Sequence, residues 1–251
     1  MDLELHGKVA IVTGGVRGIG AGMCEVFAEE GANVVIADMV PLEESRKIAA
    51  QLSAKHNVRT LAVRGDISDP KDVAEIYQQT LEKFGTVDIL MNNAGKMGVT
   101  KIEDVTVEEL YKYEKVNIEG MFLMSKEFIK ICNEQKKGGH IVNTISKSAF
   151  TTNSGGNTPY IATKGAVFSF TRGLAKEVGS RGIFVNGIVP GYVITDTTRN
   201  LKERSKAMKK IIPLGREATP REIANVAVFL CSPKAVQMMG AIVDVSGGTM
   251  L

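Results

Sequence analysis

The residues of this chain best suited to proton transfer are Tyr160 and Lys164, a tyrosine and a lysine four positions apart. On a helix that spacing places both side chains on one face, and the preceding Pro159 suits a first helical turn. A free phenol, with a pKa of about 10, is a poor acid–base catalyst at neutral pH. An ammonium about 5 Å away favours the phenolate by roughly 3 kcal/mol, or about two pKa units. The pair is therefore a candidate proton shuttle for an alcohol/carbonyl couple, although an exposed packing pair has the same spacing.

A glycine-rich segment at residues 13–20, Thr-Gly-Gly-Val-Arg-Gly-Ile-Gly, directly follows the apolar run 8–12. The run is short and β-branched, which predicts a buried strand, and the residues after Gly20 have helical spacing. Glycines let the backbone turn tightly and approach a pyrophosphate, which the N–H groups of the new helix can bind. The spacing is GxxxGxG rather than GxGxxG, and no Gly-Lys-Ser/Thr of an NTPase loop follows. The segment therefore predicts a dinucleotide site.

Acidic residues follow the next two predicted strands, and they bear on the choice of dinucleotide. Asp38 ends the second strand, close to the spacing of about 20 residues expected for a ribose-binding acid, and Asp66 follows the third. A carboxylate at Asp38 would repel a 2′-phosphate by several kcal/mol at an effective dielectric of about 20. Arg17 favours NADP instead, unless it pairs with Asp38 or lies over the adenine. We predict NAD, with NADP as the alternative.

Alternating strand and helix patterns predict the fold class. Strands are predicted near residues 8–13, 33–38, 58–65, 87–92, 139–145, 182–188 and 241–245. Helices are predicted near residues 18–30, 41–55, 70–84, 107–136, 158–179, 199–210 and 219–231. Strands separated by helices must be parallel, because a parallel return needs a crossover connection. We expect an α/β fold of one domain over residues 1–251, a Rossmann-like doubly wound sheet of seven mostly parallel strands with helices on both faces.

The candidate motifs all fall at the carboxyl ends of these strands, where doubly wound folds bind ligands. The strand ends carry, in chain order, the segment 13–20, Asp38, Asp66, the run Asn92-Asn93-Ala94-Gly95, Ser146 and Pro190-Gly191. Their coincidence on one edge indicates a single site.

Composition excludes several other classes of function. The 31 basic and 28 acidic residues give a net charge of +3, which does not favour nucleic acid. The three cysteines show no C-x-x-C pairing, and the three histidines form no zinc signature, so no metal is predicted. No signal peptide or membrane-length apolar run is present, so we expect a soluble cytoplasmic protein that binds neither membrane nor nucleic acid.

Taken jointly, the motifs resemble those of the classical short-chain dehydrogenases/reductases. The resemblance spans about residues 7–248 and includes Thr13-Gly-x-x-x-Gly-x-Gly20, Asn92-Asn-Ala-Gly95, Asn117, Ser146, Tyr160-x-x-x-Lys164 and Pro190-Gly191. The C-terminal half is most similar to 3-oxoacyl-carrier-protein reductases and related alcohol or polyol dehydrogenases. The implied function is a nicotinamide-dependent interconversion of a secondary alcohol and a ketone.

The resemblance implies a role for each matching position. Tyr160 would be the general acid/base, Lys164 would lower its pKa and bind the nicotinamide ribose, and Ser146 would stabilise charge on the substrate oxygen. Asn117 would hold a water joining Lys164 to solvent, although its type alone equally suits a polar residue in an amphipathic helix. The predicted cofactor set is Gly14, Arg17, Gly18, Ile19, Gly20, Asp38, Asp66, Ile67, Asn93, Ala94, Gly95, Tyr160, Lys164, Pro190, Gly191, Val193 and Thr195.

The chain departs from the family pattern at the catalytic serine. The position thirteen residues before Tyr160, where most relatives carry that serine, is Lys147. When the strand ending at residues 142–146 is aligned with that of relatives, Ser146 takes the place of the catalytic serine. This alignment implies one extra residue within 151–157. Ser148 is the alternative catalytic serine. In the family that loop faces the substrate.

The substrate and the assembly are less well defined by the sequence. The segment 196–212 corresponds to a lid in relatives, and its basic residues are Arg199, Lys202, Arg204, Lys206, Lys209 and Lys210. They suit an anionic substrate, but a solvated helix face explains them equally. Basic residues at Lys136, Lys137 and Arg181 match carrier-protein reductases, whereas Asp38 argues against their usual NADPH. A non-catalytic nucleotide sensor on the same fold is a lower alternative.

Two predicted helices, 107–136 and 158–179, are apolar on more than one face, which indicates a partner surface. Their apolar residues are Tyr113, Met121, Phe122, Met124 and Phe128 on the first and Val167, Phe168, Phe170 and Leu174 on the second. In relatives these helices and the last strand, 241–245, form subunit contacts, so a homotetramer is expected.

Overall fold

The computed structural model describes residues 1–151, 157–195 and 202–251, without the side chains of residues 202–205 and 209. Seven strands are present, β1 (Val9–Thr13), β2 (Asn33–Asp38), β3 (Thr60–Arg64), β4 (Ile89–Asn92), β5 (Gly139–Thr144), β6 (Ile183–Pro190) and β7 (Ile242–Val245). The helices are α1 (Gly18–Glu29), α2 (Leu42–His56), α3 (Pro70–Phe84), α4 (Val107–Glu114), α5 (Met121–Glu134), α6 (Thr158–Val178), α7 (Lys202–Ile211) and α8 (Pro220–Phe229).

The strands form one sheet in the order β3-β2-β1-β4-β5-β6-β7, and every neighbouring pair is parallel. The inner strand β1 aligns Ile11 with Val35 of β2 and with Leu90 of β4. The chain moves outward from β1 to β3 and then returns to place β4 on the other side of β1. Because the strand order reverses there, a crevice opens between the ends of β1 and β4. The predicted doubly wound fold is confirmed.

Alternate residues of the strands bury against helices on opposite faces of the sheet. Val12 belongs to a core with residues of α1 and α8, whereas Ile11 belongs to a core with residues of α3 and α5. Burial on both faces explains why the inner strands are continuously apolar rather than alternating.

The helix predicted over residues 107–136 is interrupted. A π-helical turn, Lys115–Gly120, separates α4 from α5 and contains Asn117. Gly120 ends this turn where it passes close to the segment after β3, since a Cβ at that position would lie 2.7 Å from the Ile67 side chain. Such π turns occur often at functional sites, and this one carries the predicted site residue Asn117.

The three cysteines lie in the interior of the subunit. Cys24, Cys132 and Cys231 are buried and free, and burial raises the pKa of each thiol. In the described part of the chain, no helix is long and apolar enough to cross a bilayer.

Five of the nine apolar residues named on the two predicted helices belong to the core of the subunit. Tyr113, Met121, Met124, Phe128 and Val167 are at most 3% exposed. They form the inward side of the helices, because α5 and α6 pack on the sheet, α4 packs on α6, and all three helices contact the π-helical turn. Phe122 is 44% exposed, and Phe168, Phe170 and Leu174 are half-buried.

His140 makes the stability of the fold depend on pH. This β5 residue stacks on Phe184 of β6 with ring centroids 5.0 Å apart, and its Nδ1 has no hydrogen-bond partner among the described residues. Burial lowers the pKa of His140 from 6.5 to about 4. The unfolded chain therefore binds more protons between these values, and the native state loses stability as the pH falls from 6.5 towards 4.

We expect His140→Leu to remove up to about 3 kcal/mol of the decrease in unfolding free energy between pH 7 and pH 4. Urea unfolding of both proteins across that pH range measures the difference. Parallel profiles for the two proteins would contradict the assignment.

Candidate active site

A cavity of about 470 Å³ opens at the carboxyl ends of β4, β5 and β6. Its described lining comprises Ile19, Asn93, Gly95, Lys96, Met97, Thr144, Ile145, Ser146, Lys147, Ser148, Asn157, Tyr160, Lys164, Pro190, Gly191, Tyr192, Val193 and Thr195. The two residues that began the sequence argument, Tyr160 and Lys164, therefore lie in one cavity with both candidate serines.

Ser146 is the serine that contacts Tyr160. It follows the end of β5, and its hydroxyl is hydrogen-bonded to the Tyr160 hydroxyl. The Ser146 Oγ also accepts a hydrogen bond of 3.2 Å from the Ser148 backbone N–H. This bond caps the short 3-10 turn Lys147–Ala149. Ser148 lines the same cavity.

Lys164 is held in place by the backbone of β5. Its Nζ donates a hydrogen bond of 2.7 Å to the Thr144 carbonyl and lies 5.9 Å from the centroid of the Tyr160 ring. Asn143 is the last β5 residue that pairs with β4. The Thr144 carbonyl therefore lies just past the end of the β4–β5 pairing. Burial lowers the pKa of Lys164 from 10.5 to about 8.

The pKa of Tyr160 differs from the sequence prediction. Burial raises it above its ordinary value of 10, and the hydrogen bond from Ser146 opposes this rise. Burial removes the phenolate from water, and this desolvation is the largest influence on the pKa of Tyr160. Tyr160 is accordingly a protonated phenol at neutral pH.

Asn117 links the loop after β4 to the helix that carries Tyr160 and Lys164. Its Nδ2 donates to the Lys96 carbonyl at 3.0 Å and to the Thr163 hydroxyl at 2.9 Å, and its Oδ1 accepts from the Lys96 N–H at 2.7 Å. It is 2% exposed. The Asn117 side chain thus braces the site from behind rather than lining the cavity.

The ends of β1 and β4 are tied together as the resemblance implied. The Thr13 hydroxyl donates to the Met91 carbonyl at 3.0 Å and accepts from the Asn93 and Ala94 N–H groups, each at 3.0 Å. The Asn93 amide donates in turn to the carbonyls of Thr13 and Gly14. These bonds hold the floor of the crevice.

The glycine segment forms a cradle at the start of α1. Gly14 and Gly18 have φ values of +64° and +57°, and a Cβ on Gly20 would collide with the Gly14 carbonyl. The N-cap residue of α1, Arg17, makes no side-chain capping bond. The free N–H groups of this helix start fit a pyrophosphate.

A second cavity, of about 310 Å³, continues the crevice towards the ends of β2 and β3. Its lining includes Gly14, Arg17, Asp38, Asp66, Ile67, Asn93, Ala94 and Gly95. The Asp38 carboxylate accepts bonds from the N–H groups of Val16 at 3.2 Å and Val40 at 3.3 Å. Arg17 is exposed and forms no ion pair with the described residues, so the predicted alternative that it pairs with Asp38 is not observed. The two adjoining cavities fit the two ends of a nicotinamide dinucleotide.

The loop after β6 closes the opposite side of the crevice. Gly191 passes so close to Ser246 that a Cβ would lie 2.7 Å from its backbone. Val193 forms a bridge with Ala218, and the Thr195 side chain lies against Gly18. This loop therefore faces the glycine cradle across the space available to a cofactor.

Comparison with known proteins agrees with this geometry. A family described as "Enoyl-(Acyl carrier protein) reductase" matches residues 14–250. A 3-oxoacyl-[acyl-carrier-protein] reductase of Chlamydia muridarum is 38% identical, with 99% of each chain covered. The chain is a classical short-chain dehydrogenase/reductase. It is accordingly an oxidoreductase with a nicotinamide cofactor.

Two solved structures of short-chain dehydrogenases/reductases show the same fold. L-sorbose reductase of Gluconobacter frateurii, complexed with NADPH and L-sorbose, has a TM-score of 0.93 at 30% identity and covers 100% of this chain and 99% of its own. The 3-ketoacyl-(acyl-carrier-protein) reductase of Brucella melitensis, complexed with NADH, has a TM-score of 0.91 at 35% identity and covers 99% and 100%. Both nicotinamide cofactors thus occur among its structural neighbours.

The sequence analysis did not identify several residues of this short-chain dehydrogenase site. Thr144 and Thr163 act through a backbone carbonyl and a buried hydroxyl, and neither their types nor their spacing distinguishes them from ordinary core threonines. The sequence places Lys147 thirteen residues before Tyr160 but gives no sign that its side chain lies in the cavity. Most of the predicted insertion, residues 152–156, and the start of the predicted lid, residues 196–201, lie outside the described residues. Of the basic lid residues, the side chains of Lys206 and Lys210 are described and exposed.

Proposed function

We propose that this enzyme interconverts a secondary alcohol and a ketone, with hydride transfer to or from NAD(H) and Tyr160 as general acid/base. The observation that carries the proposal is the hydrogen-bonded pair of Ser146 and Tyr160, which shares one cavity with Lys164 beside the glycine cradle. A panel of ketones, sugars and 3-oxoacyl thioesters, assayed at 340 nm with NADH and NADPH, tests it.

In the reductive direction Tyr160 donates its phenolic proton to the carbonyl oxygen of the substrate. Its raised pKa favours this role, since the proton is present at neutral pH. Ser146 donates a hydrogen bond to the same oxygen and stabilises the negative charge that develops there. Lys164, anchored on Thr144, places its positive charge beside the phenol. The bound nicotinamide supplies the hydride in reduction and accepts it in oxidation.

NAD is the cofactor that the Asp38 environment favours over NADP. Two backbone N–H groups hold the carboxylate at the end of β2, where it can accept the ribose hydroxyls and repels a 2′-phosphate. The exposed Arg17 and the NADPH complex of a neighbour with 30% identity support NADP as the alternative.

We expect wild-type kcat/KM to be higher with NADH, and Asp38→Ser to narrow or reverse that preference by about tenfold or more. The exposed Asp104, outside both cavities, provides the control variant Asp104→Ser, which should leave the ratio unchanged. Steady-state kinetics with both cofactors measure the ratio. A wild type that prefers NADPH would refute the proposal.

A 3-oxoacyl-[acyl-carrier-protein] reductase that uses NADPH is the second candidate function. It is favoured by the curated relatives of that name at 35% and 38% identity over 99% of this chain. Turnover of a carrier-bound 3-oxoacyl chain with NADPH, well above that of small ketones with NADH, would select it. Absence of turnover throughout the panel would leave a nucleotide sensor.

A homotetramer is proposed from the apolar surface that α4, the π turn and α6 leave exposed. An open depression of about 650 Å³ is lined there by Tyr111, Ile118, Phe122 and Phe170, among others. Exposed apolar patches of this kind mark association surfaces. We expect light scattering at micromolar concentration to give the mass of four chains, and Phe122→Asp to lower it. A monomeric wild type would contradict the proposal.

A further inference from the structure

Lys147 is a buried cation in the active-site cavity, and none of the described carboxylates forms an ion pair with it. The residue is 6% exposed. Its Nζ lies 4.2 Å above the centroid of the Tyr192 ring, and among the described residues it forms no ion pair. Burial of an ammonium without a counter-ion is unfavourable, and an aromatic face compensates only part of that cost. The arrangement leaves this ammonium available to an anionic ligand in the cavity.

The charges around this cavity show what kind of ligand would fit. Its described lining contains three lysines and no aspartate or glutamate. Lys164 is bound to the Thr144 carbonyl, and Lys96 is exposed to solvent. Lys147 is the buried cation that remains, in a position where solvent screening is weak and an anion would be held strongly.

The position of Lys147 relates that anion to the reacting carbon. Lys147 directly follows Ser146 in the chain, and the Ser146–Tyr160 pair marks where the substrate oxygen lies in the proposed reaction. A neutral 3-oxoacyl thioester would leave the ammonium unbalanced. A small molecule with a carboxylate a few bonds from its carbonyl would place the carboxylate at Lys147 and the carbonyl oxygen at the Ser146–Tyr160 pair.

We propose that Lys147, supported by Tyr192, binds the carboxylate of the substrate, and that the substrates are short-chain oxo acids and the corresponding hydroxy acids. This inference rests on the proposed dehydrogenase function. In reduction, the carbonyl π bond breaks while a C–H bond forms with the hydride of NADH and an O–H bond forms with the proton of Tyr160. NADH is oxidised to NAD⁺, and the carboxylate is unchanged.

The test compares each oxo acid with its own methyl ester, because the two differ mainly in charge. Pyruvate, acetoacetate and levulinate, with their esters, place the carboxylate at three distances from the carbonyl. We expect the wild type to prefer at least one acid over its ester. Lys147→Met should lower kcat/KM for that acid by about 10- to 100-fold, the range for loss of a charged hydrogen bond. It should change the value for the ester, and KM for NADH, by less than about threefold.

Two further variants control for fold and for charge. Lys147→Arg keeps the cation and should retain part of the preference for the acid. Lys101→Met removes an exposed lysine outside the cavity and should match the wild type. Lys147→Met should melt no lower than the wild type, since it removes an unpaired buried charge. The proposal would be overturned if the wild type preferred the esters, or preferred dihydroxyacetone phosphate, to the oxo acids. It would also be overturned if the Lys147→Met variant kept the preference for the acid.

Calorimetric titration with the same acids separates this inference from the proposed function. Binding of an acid that Lys147→Met abolishes, without turnover of any ketone, would retain the carboxylate site and reject the dehydrogenase. Turnover of neutral ketones with no binding of the acids would retain the dehydrogenase and reject the carboxylate site.

Discussion

Tyr160→Phe is expected to abolish turnover while NADH still binds. The substitution removes only the phenolic hydroxyl, which is hydrogen-bonded to Ser146 in the cavity. Loss of a positioned acid–base group lowers kcat by about 100- to 10,000-fold. The ring that packs in the site remains, so the affinity for NADH should change little. Steady-state turnover and calorimetric titration with NADH measure the two properties separately.

A matched control for this variant is Tyr113→Phe. Tyr113 also loses a hydroxyl with a hydrogen bond, to Glu109 at 3.1 Å, but it does not line the cavity. We expect the control to retain turnover within about threefold of the wild type. Turnover in Tyr160→Phe close to that of the control would reject Tyr160 as the general acid/base.

Ser146→Ala and Ser148→Ala are expected to differ sharply in activity. Ser146 contacts Tyr160, so its loss should remove a hydrogen bond to the substrate oxygen and lower kcat by about 100-fold or more. Ser148→Ala should retain activity within about threefold, because Ser148 contributes to the 3-10 turn through its backbone N–H, which alanine keeps. Kinetics of the two variants test this.

Ser146 also accepts the hydrogen bond that begins the 3-10 turn, so thermal melting must accompany the kinetics. An active-site loss should leave the melting temperature within a few degrees of that of the wild type. The reverse order of activities, with Ser148→Ala severe, would identify Ser148 as the catalytic serine and would show that the loop after Ser146 was wrongly assigned the extra residue.

The sheet and the cofactor crevice could be predicted from the sequence because their causes are local. Apolar runs such as 8–12 and 33–37 record burial on both faces of a parallel sheet. Gly14, Gly18 and Gly20 occupy positions where the turn requires a positive φ or leaves no space for a side chain. The placement of Asp38 and Asp66 at strand ends then follows from parallel topology alone.

The interior of the site was decided by tertiary contacts instead. The choice between Ser146 and Ser148 depends on which hydroxyl meets Tyr160 after β5 and α6 pack together, and counting back from the tyrosine arrives at Lys147. The pKa of Tyr160 rises because the folded chain buries the phenol and so removes it from water. The π turn at Asn117 was not predicted from the sequence, and its contacts with Ile67 and Thr163 join segments that are distant in the chain. Backbone conformation follows from neighbours in sequence, whereas charge, burial and contact depend on residues that only the fold brings together.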